Sequence, residues 1–456
     1  MGQATDTLSR FSVRSLAGVL CLITVFGCGR GSGGNENELH LLLNRHPFTE
    51  SILNFIPEFE AATGLTVTTL QLSEEEYYEK LITELASRSG YYDVFMCGHP
   101  HIWQYAPAGW LEPLDDYLND LAQTPADYDL DDFFPNRLAP FRWNLKPGSG
   151  MGQGKLWAIP VNEEGYVIFY RKDLFERFGV TVPTTYQELY DAAKKLTRVV
   201  DGQQIYGFVN RGNPSWTSLN TGYLSSYFSY GAQEFDDRFN SQLNSPQAIE
   251  LTDLFIRMLK EAGPPGWPGY TWYEGKEGFL SGKFAMWFDS NHQAIAFEDP
   301  ERSAVVGKVG YMLPPAGPDG AIRSNCWVWA LGMNAFSSNK SNAWKFLSWA
   351  TSKEILLRAV PYQNINPTRR SVWNDPATVA MMAPWADGEY RSTAEQMLTE
   401  YAEVRWRPNP QITQVGDRWV GALHEIYTGQ KNAEQAMNEA TRDINAIMTK
   451  SGLRQQ

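Results

Sequence analysis

The chain has 456 residues, a formal net charge of −13 and sixteen tryptophans. That length suits two or three domains, and the acidic balance excludes a protein that neutralises nucleic-acid phosphates with a basic face. Each tryptophan needs burial or something to stack on, a compositional hint of a ligand.

In chain order, Arg10 and Arg14 precede the apolar stretch "SLAGVLCLITVFG" and the tract "CGRGSGG". The stretch is too short to span a bilayer as a mature helix and has the shape of a secretory signal. It ends in Val25-Phe26-Gly27-Cys28, which resembles the bacterial lipoprotein signal, although Phe26 departs from the small residue usual there. The resemblance implies a signal peptide over 1–27, lipidation of Cys28 and a flexible tether over 28–37. Of the four cysteines, Cys97 and Cys326 would then be the thiols left, and in an oxidising compartment they either pair or are buried.

After the tether, "ELHLLLN" (38–44) is a short apolar run, residues 49–64 have helical spacing with Thr49 as a cap, and "LTVTTLQL" (65–72) alternates like a strand. A second helix, "EEEYYEKLITELASRSG", and a third strand, "YYDVFMC", follow. Strands alternating with helices at this spacing predict a mainly parallel sheet with helices on its faces. Ligands of such sheets bind beyond the carboxyl ends of the strands. Asn44, Arg45 and His46 follow the first strand, and Cys97, Gly98 and His99 follow the third.

Cys97, His99 and His101 stand at alternate positions in "DVFMCGHPHIW" and have two readings. One is the start of a metal site, since zinc takes thiolate and imidazole ligands. The other is a strand-end turn, in which Gly98 permits a close backbone approach to a solute, His99 offers a ring nitrogen to a hydroxyl, Pro100 starts a helix and His101 faces solvent. The second is preferred, with no metal and no cofactor. "GSGMGQGK" (148–155) fails as a phosphate-binding loop, because Ser149 stands in place of the first glycine and Leu156 in place of Ser or Thr.

From "YYDVFMCGHPHIWQYAPAGWLEPLDDYL" onward the chain resembles the extracellular solute-binding proteins of bacterial ABC importers, in their carbohydrate-binding branch. Further matching stretches include residues 154–196, "GFLSGKFAMWFDSN" (278–291), "KVGYMLPPAGPDG" (308–320), residues 326–354 and "INPTRRSVWNDP" (365–376). The resemblance implies an α/β, two-lobed periplasmic-binding-protein fold, each lobe a mixed, mainly parallel sheet flanked by helices. The amino-terminal lobe would comprise 38–157 and 310–367, the other lobe 160–306 and 372–452. Crossings are expected at "AIPV", near residue 308 and near Arg369, with hinge closure about the cleft.

A sugar packs its CH face on Trp or Tyr and needs planar polar partners for its hydroxyls. The loop "GPPGWPGYTWYEG" (263–275) supplies Trp267 and Trp272 as stacking candidates. Glu163 and Glu164 follow the first crossing and Asp289 follows the run "FAMWF", where a carboxylate can accept two hydroxyl hydrogen bonds. In the family, the segment before the strand "CWVWALG" approaches the ligand, which adds Asn325 and Trp327 and leaves Trp329 as the core residue. An arginine often kept after the family's proline adds Arg369, as a ligand contact or a bridge between lobes.

These residues predict a monomeric receptor, lipid-anchored outside the cytoplasmic membrane, that captures a carbohydrate or polyol and delivers it to ABC permease subunits without chemistry. The alternatives are a receptor for another polar solute such as a glycerol phosphodiester, and an extracytoplasmic glycan-acting enzyme using a carboxylate pair such as Glu164 and Asp289.

Overall fold

A computed structural model describes residues 37–454, so the expected signal peptide and Cys28 lie outside the described residues. The strands are β1 (Glu38–Asn44), β2 (Thr66–Leu72), β3 (Val94–Gly98), β4 (Arg142–Trp143), β5 (Lys155–Leu156), β6 (Ala158–Arg171), β7 (Arg198–Val200), β8 (Gln203–Ile205), β9 (Met286–Ser290), β10 (Val309–Met312), β11 (Ser324–Met333) and β12 (Ala402–Glu403). β4 with β5 and β7 with β8 form small separate pairs, and the remaining eight make one sheet in the order β10-β6-β11-β3-β1-β2, with β9 also on β6 and β12 on β11.

β1 runs parallel to both β2 and β3, and Leu39, Leu41, Leu42 and Leu43 are all fully buried. Burial on both faces is what a parallel strand covered by helices requires, and it explains the continuous apolar run. β2 lies at the sheet edge and is only half-buried, so its alternating Thr and Val suffice.

The first predicted helix divides in two. α1 (Pro47–Leu53) begins earlier than expected, because Pro47 fits the first helical turn and His46, rather than Thr49, accepts the Phe48 N–H as its cap. α2 (Ile56–Thr63) restarts with Pro57 in its first turn and ends at Gly64, whose φ of 72° closes the helix. α3 (Glu74–Ala86) carries three glutamates in its first turn, favourable against the helix dipole. α4 (His99–Tyr105) starts directly from the end of β3.

β6 and β11 join the two halves of the sheet. Ala158–Gly165 pair with β11, while Tyr166–Arg171 pair with β9 and β10. The change of partner thus falls between Gly165 and Tyr166, beyond the "AIPV" segment where the crossing is expected. β10 still pairs with β6, and β11 returns to β3, so the second transfer falls after Met312 rather than near 308. Among the described residues, no helix is long and apolar enough to cross a membrane.

Candidate functional site

The carboxyl ends of β1, β3 and β9 and the middle of β6 converge on one cleft. A cavity of about 510 Å³ opens there, walled by the start of α3 (Ser73, Glu74, Glu75, Tyr78), by His101 and Tyr105 of α4, and on the facing side by the loop residue Arg211 and by Trp216, Trp272, Tyr273 and Asp417 from short helices and the helix Ile412–Tyr427. Its walls are aromatic. The rings of Trp272 and Tyr273 lie 3.7 Å apart between centroids, His101 stacks on Tyr78 at 4.7 Å, and Trp216 meets His101 at 5.8 Å and Trp327 at 5.7 Å.

Beside the cavity is a buried charge network. Arg211 holds Asp289 through both carboxylate oxygens, at 2.7 and 3.0 Å, and reaches Glu164 Oε2 at 3.3 Å. Trp329 Nε1 donates to Glu164 Oε1 at 2.8 Å, and His46 Nε2 stands 3.9 Å from the same oxygen. Charge-assisted, bidentate geometry of this kind fixes the guanidinium in place. Burial pushes the Asp289 carboxyl above the ordinary range while Arg211 pulls it down. Burial holds His46 and His292 down to about 3, aided at His46 by His292 and at His292 by Arg211, so both rings are neutral. Glu74 is raised to about 7 by burial, against the pull of Arg211. Among the described residues, His46, Glu164 and His292 form the one group of three potential metal ligands whose atoms converge, within 4.8 Å of one another.

Several groups around the cleft have no protein partner: Asn44 Oδ1, His46 Nε2, the Tyr78, Tyr105 and Tyr273 hydroxyls, and Trp327 Nε1 are all buried without a hydrogen bond. A buried unpaired polar atom costs about 1–3 kcal/mol. A ligand rich in hydroxyls removes that cost.

Of the expected site residues, Glu164 and Asp289 meet in the buried network, with His46 beside it, and Trp272 forms a cavity wall. Asn44 is buried at the end of β1, whereas Arg45 is exposed and lies off the cavity lining. Others stand in structural roles, and the expectation for them is corrected. Trp267 is buried against Tyr427 and His424, with its N–H on Asn210, because the prolines of its loop fold it under the helix Ile412–Tyr427. Arg369 is fully buried and donates to the carbonyls of Thr351, Asp129 and Tyr128 at 2.7–2.8 Å; a guanidinium spent on three carbonyls ties loops together. Asn325 donates to Asn220 at 3.0 Å and accepts from the Arg405 N–H. Glu163 turns to Arg137, 3.3 Å away and fully buried.

The strand-end motif is also rearranged. The Trp327 indole packs directly on Gly98, where any Cβ would overlap the ring, so the space left by the missing side chain goes to an indole and not to a solute. His99 is buried between Trp103 and Trp327. His101 does not face solvent: it lines the cavity and caps its own helix, accepting the Gly98 N–H at 3.1 Å. Cys97 and Cys326 are free and buried. Trp329, expected as core, donates to Glu164 as described. Sequence reasoning missed Arg211, Glu74, Tyr78 and Trp216. The rule that sites follow strand ends would have found Glu74 and Tyr78 after β2; Arg211, in "NRGNPSW", carries no motif.

A cleft between two half-sheets joined by shared strands, walled by aromatic rings and set with unpaired donors and acceptors, defines a two-lobed solute-binding protein. The comparisons agree. The profile of the bacterial extracellular solute-binding protein family matches residues 46–355, and the chain belongs to that family. It is 32% identical to the erythritol/L-threitol-binding protein of Mycolicibacterium smegmatis over 92% of this chain and 88% of that one. It is 28% identical to the mannitol-binding protein of Pseudomonas aeruginosa over 86% and 88%. A crystal structure of an ABC transporter solute-binding protein from Agrobacterium radiobacter, in complex with ribitol, superposes with a TM-score of 0.79 at 25% identity, covering 90% of this chain and 98% of that one.

Proposed function

We propose that this protein captures a neutral polyol or small sugar outside the cytoplasmic membrane and hands it to ABC permease subunits. The observation that carries the reading is Arg211, whose charge is consumed by Asp289 and Glu164 while uncharged donors and acceptors around it lack partners. An anionic glycerol phosphodiester would need a free cation. Instead the cavity adds Glu74, Glu75, Glu79, Glu274 and Asp417, which disfavours that alternative. The names of the two relatives and of the ribitol complex support the polyol class. The family consists of transport binding proteins; the pairing of Glu164 and Asp289 on a single arginine further supports a receptor over a glycosidase, whose acid and base work separately. The reading includes cleavage after residue 27, a lipid anchor on Cys28, a monomer, and closure of lobes whose cores are the two half-sheets.

A thermal-shift screen of four- to six-carbon polyols, mono- and disaccharides and glycerol phosphodiesters tests it. A polyol at 100 times its dissociation constant raises stability by about 2.7 kcal/mol. Stabilisation by the phosphodiester alone, or turnover of a glycan, would replace this function with another.

A further inference from the structure

Two of the buried histidines beside the cleft share one device. His46 and His99 each accept a backbone N–H at Nδ1, from Phe48 at 3.1 Å and Val328 at 3.4 Å. A neutral imidazole whose Nδ1 accepts carries its hydrogen on Nε2. Both rings therefore present an N–H away from the backbone they accept from, whereas His101 Nδ1 faces both the N–H and the carbonyl of Gly98.

At His46 this has a consequence for the ligand. Its Nε2 is buried and has no partner. The nearest acceptor, Glu164 Oε1, is 3.9 Å away, too far for a hydrogen bond. An oxygen seated off the line between the two atoms lies within hydrogen-bond distance of both. The convergence of His46, Glu164 and His292 also invites a metal ion, but a metal needs a free lone pair on the one nitrogen of each ring that faces it. His46 spends its lone pair on the start of α1. His292 Nε2 already faces the Gln293 amide nitrogen at 2.8 Å, and Arg211 sets a positive charge beside Glu164.

We propose that the gap between His46 Nε2 and Glu164 Oε1 is a subsite for one ligand hydroxyl, which accepts from the histidine and donates to the carboxylate, and that the fixed tautomer of His46 selects a hydroxyl over a divalent metal ion. The inference rests on the receptor reading for its ligand and adds the contact that reads one hydroxyl.

The variant His46→Asn keeps a side-chain acceptor for the start of α1 and removes the Nε2 hydrogen. For the polyol that the screen identifies, the dissociation constant rises about tenfold or more, with the melting temperature close to that of the parent. A deoxy analogue lacking the contacted hydroxyl binds parent and variant alike. On the parent protein alone, nitrogen-15 NMR shows His46 protonated at Nε2, and zinc titrated into solute-free protein shows no stoichiometric binding. If the polyol binds the parent and His46→Asn equally, the receptor reading stands and the subsite falls. A hydrogen on Nδ1, or one zinc bound per chain and lost in His292→Gln, overturns the proposal on the parent protein. If no neutral solute binds the parent, the receptor reading falls, and the ligand assigned to the gap falls with it.

Discussion

Arg211 decides more at this site than any other single side chain. Its side chain is 10% exposed and its partner Asp289 is fully buried, so removing the guanidinium leaves carboxylates with no counter-charge. Breaking one member of a buried pair costs about 3–5 kcal/mol, mostly through the charge left behind. Arg211→Met is expected to lose that much in urea denaturation and to bind no polyol, and a loss under 1 kcal/mol would show that Asp289 finds another partner. The two tryptophans of the 263–275 loop separate packing from binding. Trp267→Ala empties a buried site and should cost about 3–5 kcal/mol of stability while the folded fraction binds the parent's ligand with unchanged affinity. Trp272→Ala removes a cavity wall and should weaken binding by about 2 kcal/mol, roughly 30-fold, with little effect on melting. Calorimetry of both variants checks the pair, and an interchange of the two effects would place Trp267 against the ligand after all.

At the scale of elements, the start of the chain was legible because its strands and helices follow simple rules. β1 is apolar throughout because both faces are covered, and α3 follows β2 with its acidic first turn on the cleft. Glu164 was visible as a carboxylate just after the expected crossing at "AIPV", and Asp289 as one at the end of an apolar run. Side-chain direction was not visible: Glu163 and Glu164 are neighbours on β6 and point to opposite partners, Arg137 and Arg211, as strand alternation requires. Nor does sequence say which aromatic of a proline-rich loop turns inward, since Trp267 and Trp272 differ only in what the rest of the fold brings against them. The turn between β3 and α4 shows the same limit, because Gly98 is needed for an indole from β11, more than 200 residues away in sequence. Gly98→Ala should cost about 1–3 kcal/mol by overpacking against Trp327, and Trp327→Phe in the same chain should recover part of it. A double-mutant cycle on melting measures this, and additive losses would mean that the two positions do not share the space.

Across the whole molecule, a few ionisable groups shifted by burial set how stability responds to pH. Among the carboxyls raised by burial, two reach the neutral range, Glu74 at the cleft at about 7 and Glu234 at about 8. Glu234 accepts the Arg407 N–H with one oxygen and leaves the other unpaired. In the unfolded chain both release their protons near the ordinary glutamate value of about 4.3. Between that value and the folded one, the native state holds protons that the unfolded state has lost, so stability falls as pH rises and levels off only above the folded values. The buried histidines His46, His101 and His292, held down to about 3, 4 and 3, act in the opposite sense. Their contribution grows as pH climbs toward about 6.5 and is essentially complete above it. From about pH 7 to 8.5 the glutamates titrate in the native state, and the buried Cys97 and Cys326 thiols, whose pKa burial raises, begin to ionise in the unfolded chain at about 8.5 and act in the same direction, so the melting temperature should decline over that window. Glu234→Gln, which removes the charge and keeps the shape, should remove the largest single share of the decline, and Glu74→Gln a smaller one, since more of its titration is over by pH 7. Scanning calorimetry of the three proteins at four pH values is sufficient. A parent melting temperature that rises from pH 7 to 8.5, or a decline untouched in Glu234→Gln, would mean that Glu234 is already ionised in the native state and paired with Arg407.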